Sequence, residues 1–199
     1  MAENLTCPTL KDVLAAEMCY ENYAGLSETV YVGRKSELAS PMTLNGVVYT
    51  APTFKTGCGL YKIECAEETQ GIIGSSLSSN KGFKLQLDFV IDKVDKETAE
   101  MSRALNNLKD LFFIVKDGSD FQIMYDPDRK CKVETDGIKG DTGKQASDAR
   151  QTTCTYILQP VKFKNLYVDL TDESLAELMH DYVAPSPPDD PKNDENTES

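Results

Sequence analysis

The chain has 199 residues and a formal charge of −12, with 33 acidic residues against 21 basic ones. That length suits one domain able to bury a core of its own, and the acidity argues against tight nucleic-acid binding, which runs on Lys and Arg neutralising phosphates. The six cysteines, Cys7, Cys19, Cys58, Cys65, Cys131 and Cys154, are scattered and form no C-x-x-C pair, so free thiols are expected and a disulfide scaffold is not.

The N-terminal stretch MAENLTCPTLKDVLAAEMCY lacks a basic start followed by an apolar run, so no secretory signal is read there. Residues 1–24 are expected to form an arm with a short helix over 9–19. No apolar run approaches the length of a membrane span. The expectation is a soluble protein made in a reducing cytoplasm.

Strands are expected at 29–32 (TVYV), 46–50 (GVVYT) and 60–65 (LYKIEC). The strongest signal is FKLQLDFVID, where Phe83, Leu85, Leu87, Phe89 and Ile91 alternate with Lys84, Gln86, Asp88 and Val90. That period of two marks a strand with one dry and one wet face. A helix over 96–109 follows, with Asp95 as N-cap and Met101, Ala104, Leu105 and Leu108 forming one apolar stripe. LFFIV (111–115) and FQIMYD (121–126), joined by a turn at Asp117 and Gly118, predict a hairpin. TCTYILQ (153–159) predicts another strand. Thr171 caps a terminal helix, 171–184, with Leu175, Leu178, Met179 and Tyr182 on one face. From 185 onward five acids, one lysine and four prolines leave no apolar period, so 185–199 is expected to be a disordered acidic tail. The fold class is therefore mainly β with a packed helix (α+β), an antiparallel sandwich or barrel.

The chemical motifs each fail on inspection. Gly140-Asp-Thr-Gly-Lys144 resembles a phosphate loop, but Gln145 stands where the magnesium-binding hydroxyl belongs and Ile138 where the first glycine belongs. The residues after it read as a strand, whereas a phosphate loop must open a helix. Asp126 and Asp128 alternate as in a calcium loop, yet Lys130 and the absence of a following glycine break the pattern. His180 is the single histidine and reads as a solvated surface residue. Cys58 and Cys65 have no matching second pair for zinc, and Glu67-Glu68 would point to opposite sides of a strand. No catalytic residue, cofactor or metal is expected.

The order of these elements, from ETVYVGRKSEL through GLYKIECAEETQGIIGSSLSSNKGFKLQLDFVID and KETAEMSRALNNLKDLFFIVKDGSDFQIMYDPDR to DGIKGDTGKQASDARQTTCTYILQP, resembles the tail tube (major tail) proteins of bacteriophages, especially those of phages and prophages of Bacteroides-like bacteria. The resemblance covers residues 25–170. Ala149-Arg150 replaces a glycine common in that group, and 171–199 lies outside the pattern.

The resemblance implies a virion structural protein, not an enzyme, that self-assembles into rings, usually hexameric, which stack into a hollow tube. Strands of neighbouring subunits would join into one inner barrel with an acidic lumen through which DNA passes transiently. It further implies partnership with tape-measure and tail-terminator proteins, no membrane, and residence in the virion tail after assembly in the host cytoplasm. Strand 82–92 would lay its apolar face on helix 96–109 and turn Lys84, Gln86 and Asp88 to water or the lumen. The loop 135–150, with Thr142 and Lys144, would settle on packing. The connection 34–58, with Met42, Leu44 and Phe54, would meet the next ring. Two other readings are the tube of a contractile injection device and a monomeric β-sandwich module binding sugar or protein. The absence of Trp counts against sugar stacking.

Overall fold

The computed structural model describes residues 26–78, 81–145 and 148–182. The expected arm with its helix 9–19 and the acidic tail 185–199 lie outside the described residues. Eleven strands and two α-helices run in the order β1 (Thr29–Arg34), β2 (Leu44–Asn45), β3 (Val48–Tyr49), β4 (Tyr61–Glu64), β5 (Gly71–Ser76), β6 (Phe83–Ile91), α1 (Lys96–Asn107), β7 (Leu111–Asp117), β8 (Asp120–Met124), β9 (Lys132–Asp141), β10 (Gln151–Val161), β11 (Tyr167–Val168) and α2 (Asp172–Glu177). They form a seven-stranded sheet, β2-β3-β11-β8-β7-β1-β4, and a four-stranded sheet, β5-β6-β10-β9. The protein is mainly β.

The alternation in β6 is realised residue by residue: Leu85, Leu87, Phe89 and Ile91 are buried and Lys84, Gln86, Asp88 and Val90 are not. β10 supplies the matching buried row of Thr152, Cys154, Tyr156 and Leu158. These rows face β7 of the other sheet, where Phe113 lies 4.5 Å from Tyr156 and 6.4 Å from Phe89, ring to ring. The apolar face of β6 therefore meets the opposite sheet at its centre. Helix α1 lies to one side, with Leu105 entering the core and its carbonyl accepting from Tyr156 Oη at 2.9 Å.

β7 is buried on both faces from Leu111 to Val115, because the seven-stranded sheet is covered on its outer side as well. There Phe112 stacks on Phe54 (6.3 Å) and meets Tyr125 edge-on (5.8 Å), and Tyr49 meets Tyr125 at 5.0 Å. Gly33 makes this second layer possible: a Cβ there would stand 2.4 Å from the Phe112 ring. Cys131 and Cys154 are buried free thiols, each pushed up to about 12 by loss of solvation.

Helix α1 begins with a reciprocal cap. Thr98 N–H donates to the Asp95 carboxylate at 2.9 Å, and Asp95 N–H donates to Thr98 Oγ1 at 2.8 Å. The terminal helix is shorter than expected. It stops at Glu177, and the chain then turns to pair with Leu60: Leu60 N–H donates to Leu178 O (2.8 Å) and His180 N–H to Leu60 O (3.0 Å). Of the predicted stripe only Leu175 is buried. The expected strand 46–50 is a small hairpin instead, β2 and β3 turning at Gly46 with φ +64°.

Two strands carry no period that sequence could reveal. β5 is GIIGSS, where no element was expected, and β9 is KVETDGIKGD, which was expected to belong in part to the loop 135–150. β9 pairs with β10 through a wide irregularity: Ile138 opposes Cys154 and Val133 opposes Tyr156, so the residues between bulge out around Asp136 at φ +55°. The loop proper is 142–150.

Candidate assembly face and edges

Both motifs that mimic an ion-binding site are occupied by groups of the chain itself. In the phosphate-loop-like turn, the backbone N–H groups of Lys144 and Gln145 donate to Asp148 Oδ2 at 2.7 and 2.8 Å, and Gly143 N–H donates to Asp141 Oδ1 at 2.9 Å. The donors that would cradle phosphate thus hold a carboxylate, and they keep the Asp148 carboxyl below its usual range. In the calcium-like turn the Asp126 carboxylate accepts from the N–H groups of Asp128 (3.0 Å) and Arg129 (2.9 Å). The carbonyls of Asp126 and Arg129 accept from Lys35 Nζ, the former at 2.7 Å. Among the described residues no group of three or more His, Cys, Asp or Glu could hold a metal ion. His180 is exposed, with its ring stacked on Tyr61 at 4.3 Å.

The four-stranded sheet presents an open outer face. Cross-strand partners share a face, so the registers place Ile73 and Ser75 of β5 beside Gln86 and Lys84 of β6. Likewise Thr155 and Ile157 of β10 stand beside Asp88 and Gln86. Along β6 the polar side chains form a ladder: Lys84 Nζ donates to Gln86 Oε1 (3.0 Å), Gln86 Nε2 donates to Asp88 Oδ2 (2.9 Å), and Thr155 Oγ1 donates to Asp88 Oδ1 (2.7 Å). β9 adds Lys132 opposite Ile157, Lys139 opposite Thr153 and Asp141 opposite Gln151. Three lysines therefore stand against two aspartates on the paired positions of this face. The chain's acidity is not concentrated on these positions, which leave the face polar and close to charge balance.

The sheet edges differ in how they are guarded. β4 is short and carries an ion pair, Lys62 to Glu64 at 2.8 Å. The chain at Leu60 is further closed by the pairing with 178–180. β9 is charged and bulged, both recognised defences of an exposed edge. β5 has neither device. Its six residues are uncharged, and Ile73 and the following Leu77 are 55% and 40% exposed. Sequence reasoning missed this strand because Gly and Ser mask its apolar pair; the only signal was Ile72-Ile73 set in an uncharged stretch.

The remaining candidates fall elsewhere. Met42 is 5% exposed in the core, Phe54 packs on Phe112, and Leu44 is half-buried. These three side chains are used within the subunit, because the connection 34–58 folds back over the seven-stranded sheet. The large apolar side chains that this connection exposes are Val47 and Val48, at the β2–β3 tip. Thr142 and Lys144 are exposed on the loop beyond β9, and the Lys84–Gln86–Asp88 ladder lies on β6. Comparison with protein-family models, curated proteins and solved structures finds no match to this chain.

Proposed function

We propose that this chain is a self-assembling structural protein of the tail-tube type. Copies join through the edges of the four-stranded sheet, β5 of one against β9 of the next, and close into rings that stack as a tube. A head-to-tail contact of this kind closes into a ring when its rotation permits. The outer face of the sheet, with Lys84, Gln86 and Asp88, then lines the lumen. A hydrogen-bonded polar wall near charge balance offers a passing polyanion such as DNA neither a basic patch to bind nor a strongly repelling field. Tape-measure and tail-terminator proteins are the partners this reading calls for, and the virion tail is its location.

The observation that carries the reading is the unguarded β5 edge on a sheet whose inner face is already satisfied. An uncharged edge strand with exposed Ile73 and Leu77 is a pairing site that monomeric proteins normally blunt. Purified full-length chain, followed by light scattering over rising concentration and viewed by negative-stain electron microscopy, is expected to give rings or hollow tubes. A strict monomer at every concentration would overturn the proposal.

A further inference from the structure

Helix α1 carries a wider apolar stripe than the core covers. Leu105 is buried, but Met101 and Leu108 are only half-buried and Ala104 is exposed. With Val32, Tyr61 and Leu111 they line an apolar groove of about 350 Å³. The charged residues on its lining are Arg34 and Glu37. Glu37 Oε1 accepts from Arg34 at 3.2 Å, while its Oε2 is buried with no hydrogen-bond partner among the described residues. A groove with apolar walls and one spare acceptor calls for an apolar segment bearing a cationic or N–H donor.

We propose that the groove is the docking site of the chain's own residues 9–19, TLKDVLAAEMC, bound as a helix. Leu10, Val13, Leu14 and Met18 then fall on one face at helical spacing. Lys11 flanks that face and brings the donor for Glu37 Oε2. The reach fits a connection within one molecule. Ser27 N–H donates to Lys116 O, which fixes the start of the described chain at the end of β1 away from Gly33. From Ser27 to Gly33 is six residues, or about 20 Å along a strand. Residues 20–25 can retrace about 20 Å when extended. Eleven helical residues then cover about 16 Å, close to the length of α1. The occupant belongs to the same molecule and does not depend on tube formation.

A diazirine amino acid placed at Ala104 of the full-length chain tests this, irradiated in dilute solution and mapped by peptide mass spectrometry. The expected adduct is within one molecule, to residues 9–19, and is lost in the double variant Val13→Asp, Leu14→Asp. The same group at exposed Arg103, on the opposite side of α1, is expected to give no such adduct. The Met101 methyl resonance should shift on making the double variant while core methyls such as Met124 stay in place, which separates lost docking from lost folding. An adduct to the segment of a second copy, an adduct elsewhere, no adduct, or an adduct indifferent to the double variant would each overturn the proposal. Whether rings form at high concentration is read separately, so this inference and the tube reading fail independently.

Discussion

The seven-stranded sheet is packed on both faces, whereas the four-stranded sheet is packed on one. In the first, β7 is buried from Leu111 to Val115 because the other sheet covers one side and the rings of Phe54 and Tyr125 pack on Phe112 on the other. In the second, each buried residue of β6 and β10 alternates with an open polar or β-branched one. The edges follow the same division, since β4 is guarded by an ion pair and by the chain at 178–180 while β5 is bare. One sheet is finished as a piece of a monomer. The other keeps an open face and an uncharged edge, which is what the proposed assembly needs.

The largest test of this contrast strikes what the two sheets share. Phe113→Ala, at a fully buried ring touching Tyr156 across the sandwich, is expected to cost about 3–5 kcal/mol in urea unfolding. A loss confined to one sheet in hydrogen exchange would show that the layers are less coupled than their common core implies. Next, Gly74→Ala places a methyl 2.0 Å from the carbonyl oxygen of Lys164. Backbone cannot yield as a flexible side chain can, so the expected cost is about 1–3 kcal/mol, with β5 amides exchanging faster than those of β7.

Asp88→Ala removes the acceptor for both Gln86 and Thr155 on the open face. It is expected to cost about 1 kcal/mol, seen as a lower urea midpoint without a change of slope. Ile73→Lys adds a charge to the bare edge and should leave monomer stability within about 0.5 kcal/mol while abolishing assembly on rising concentration. Assembly that survives Ile73→Lys would move the joining surface away from β5.

The smallest effect is on pH. The Thr98 N–H, helped by Lys93, holds the Asp95 carboxyl down at about 2, below the ordinary value near ~3.9 of the unfolded chain. A depressed carboxyl stabilises the fold fully above the unfolded value and loses that contribution as pH falls toward the folded one. Amides in the first turn of α1 should therefore keep their exchange protection at pH 4 and lose it progressively toward about 2. Loss already above the ordinary carboxylate range would show that the cap is not held in this way.

Much of the closed region was legible in the sequence, and of the open sheet the two central strands, β6 and β10, but not the two edges. The alternation in FKLQLDFVID, the hairpin turning at Gly118 and the Asp95 cap all use local rules, in which each residue announces its own face or position. β5 and β9 become strands through their neighbours: Ile72 pairs with Leu87 and Ile138 with Cys154, and nothing within GIIGSS or KVETDGIKGD enforces a period of two. The roles foreseen for Met42 and Phe54 met the same limit. Their exposure depends on whether the 34–58 connection lies flat, and that is decided by the rings of Phe112 and Tyr125 far along the chain.

The pairing of Leu60 with Leu178 and His180 has a consequence for how the subunit is made. β4 borders β1, yet the contact that closes the chain beside it comes from residues synthesised after every strand of both sheets. A growing chain can build the sandwich before that contact exists, with Gly59 left open where the His180 backbone later sits. Edge protection thus arrives last on one sheet, and the interval before it arrives is when a nascent subunit is most open to the wrong neighbour.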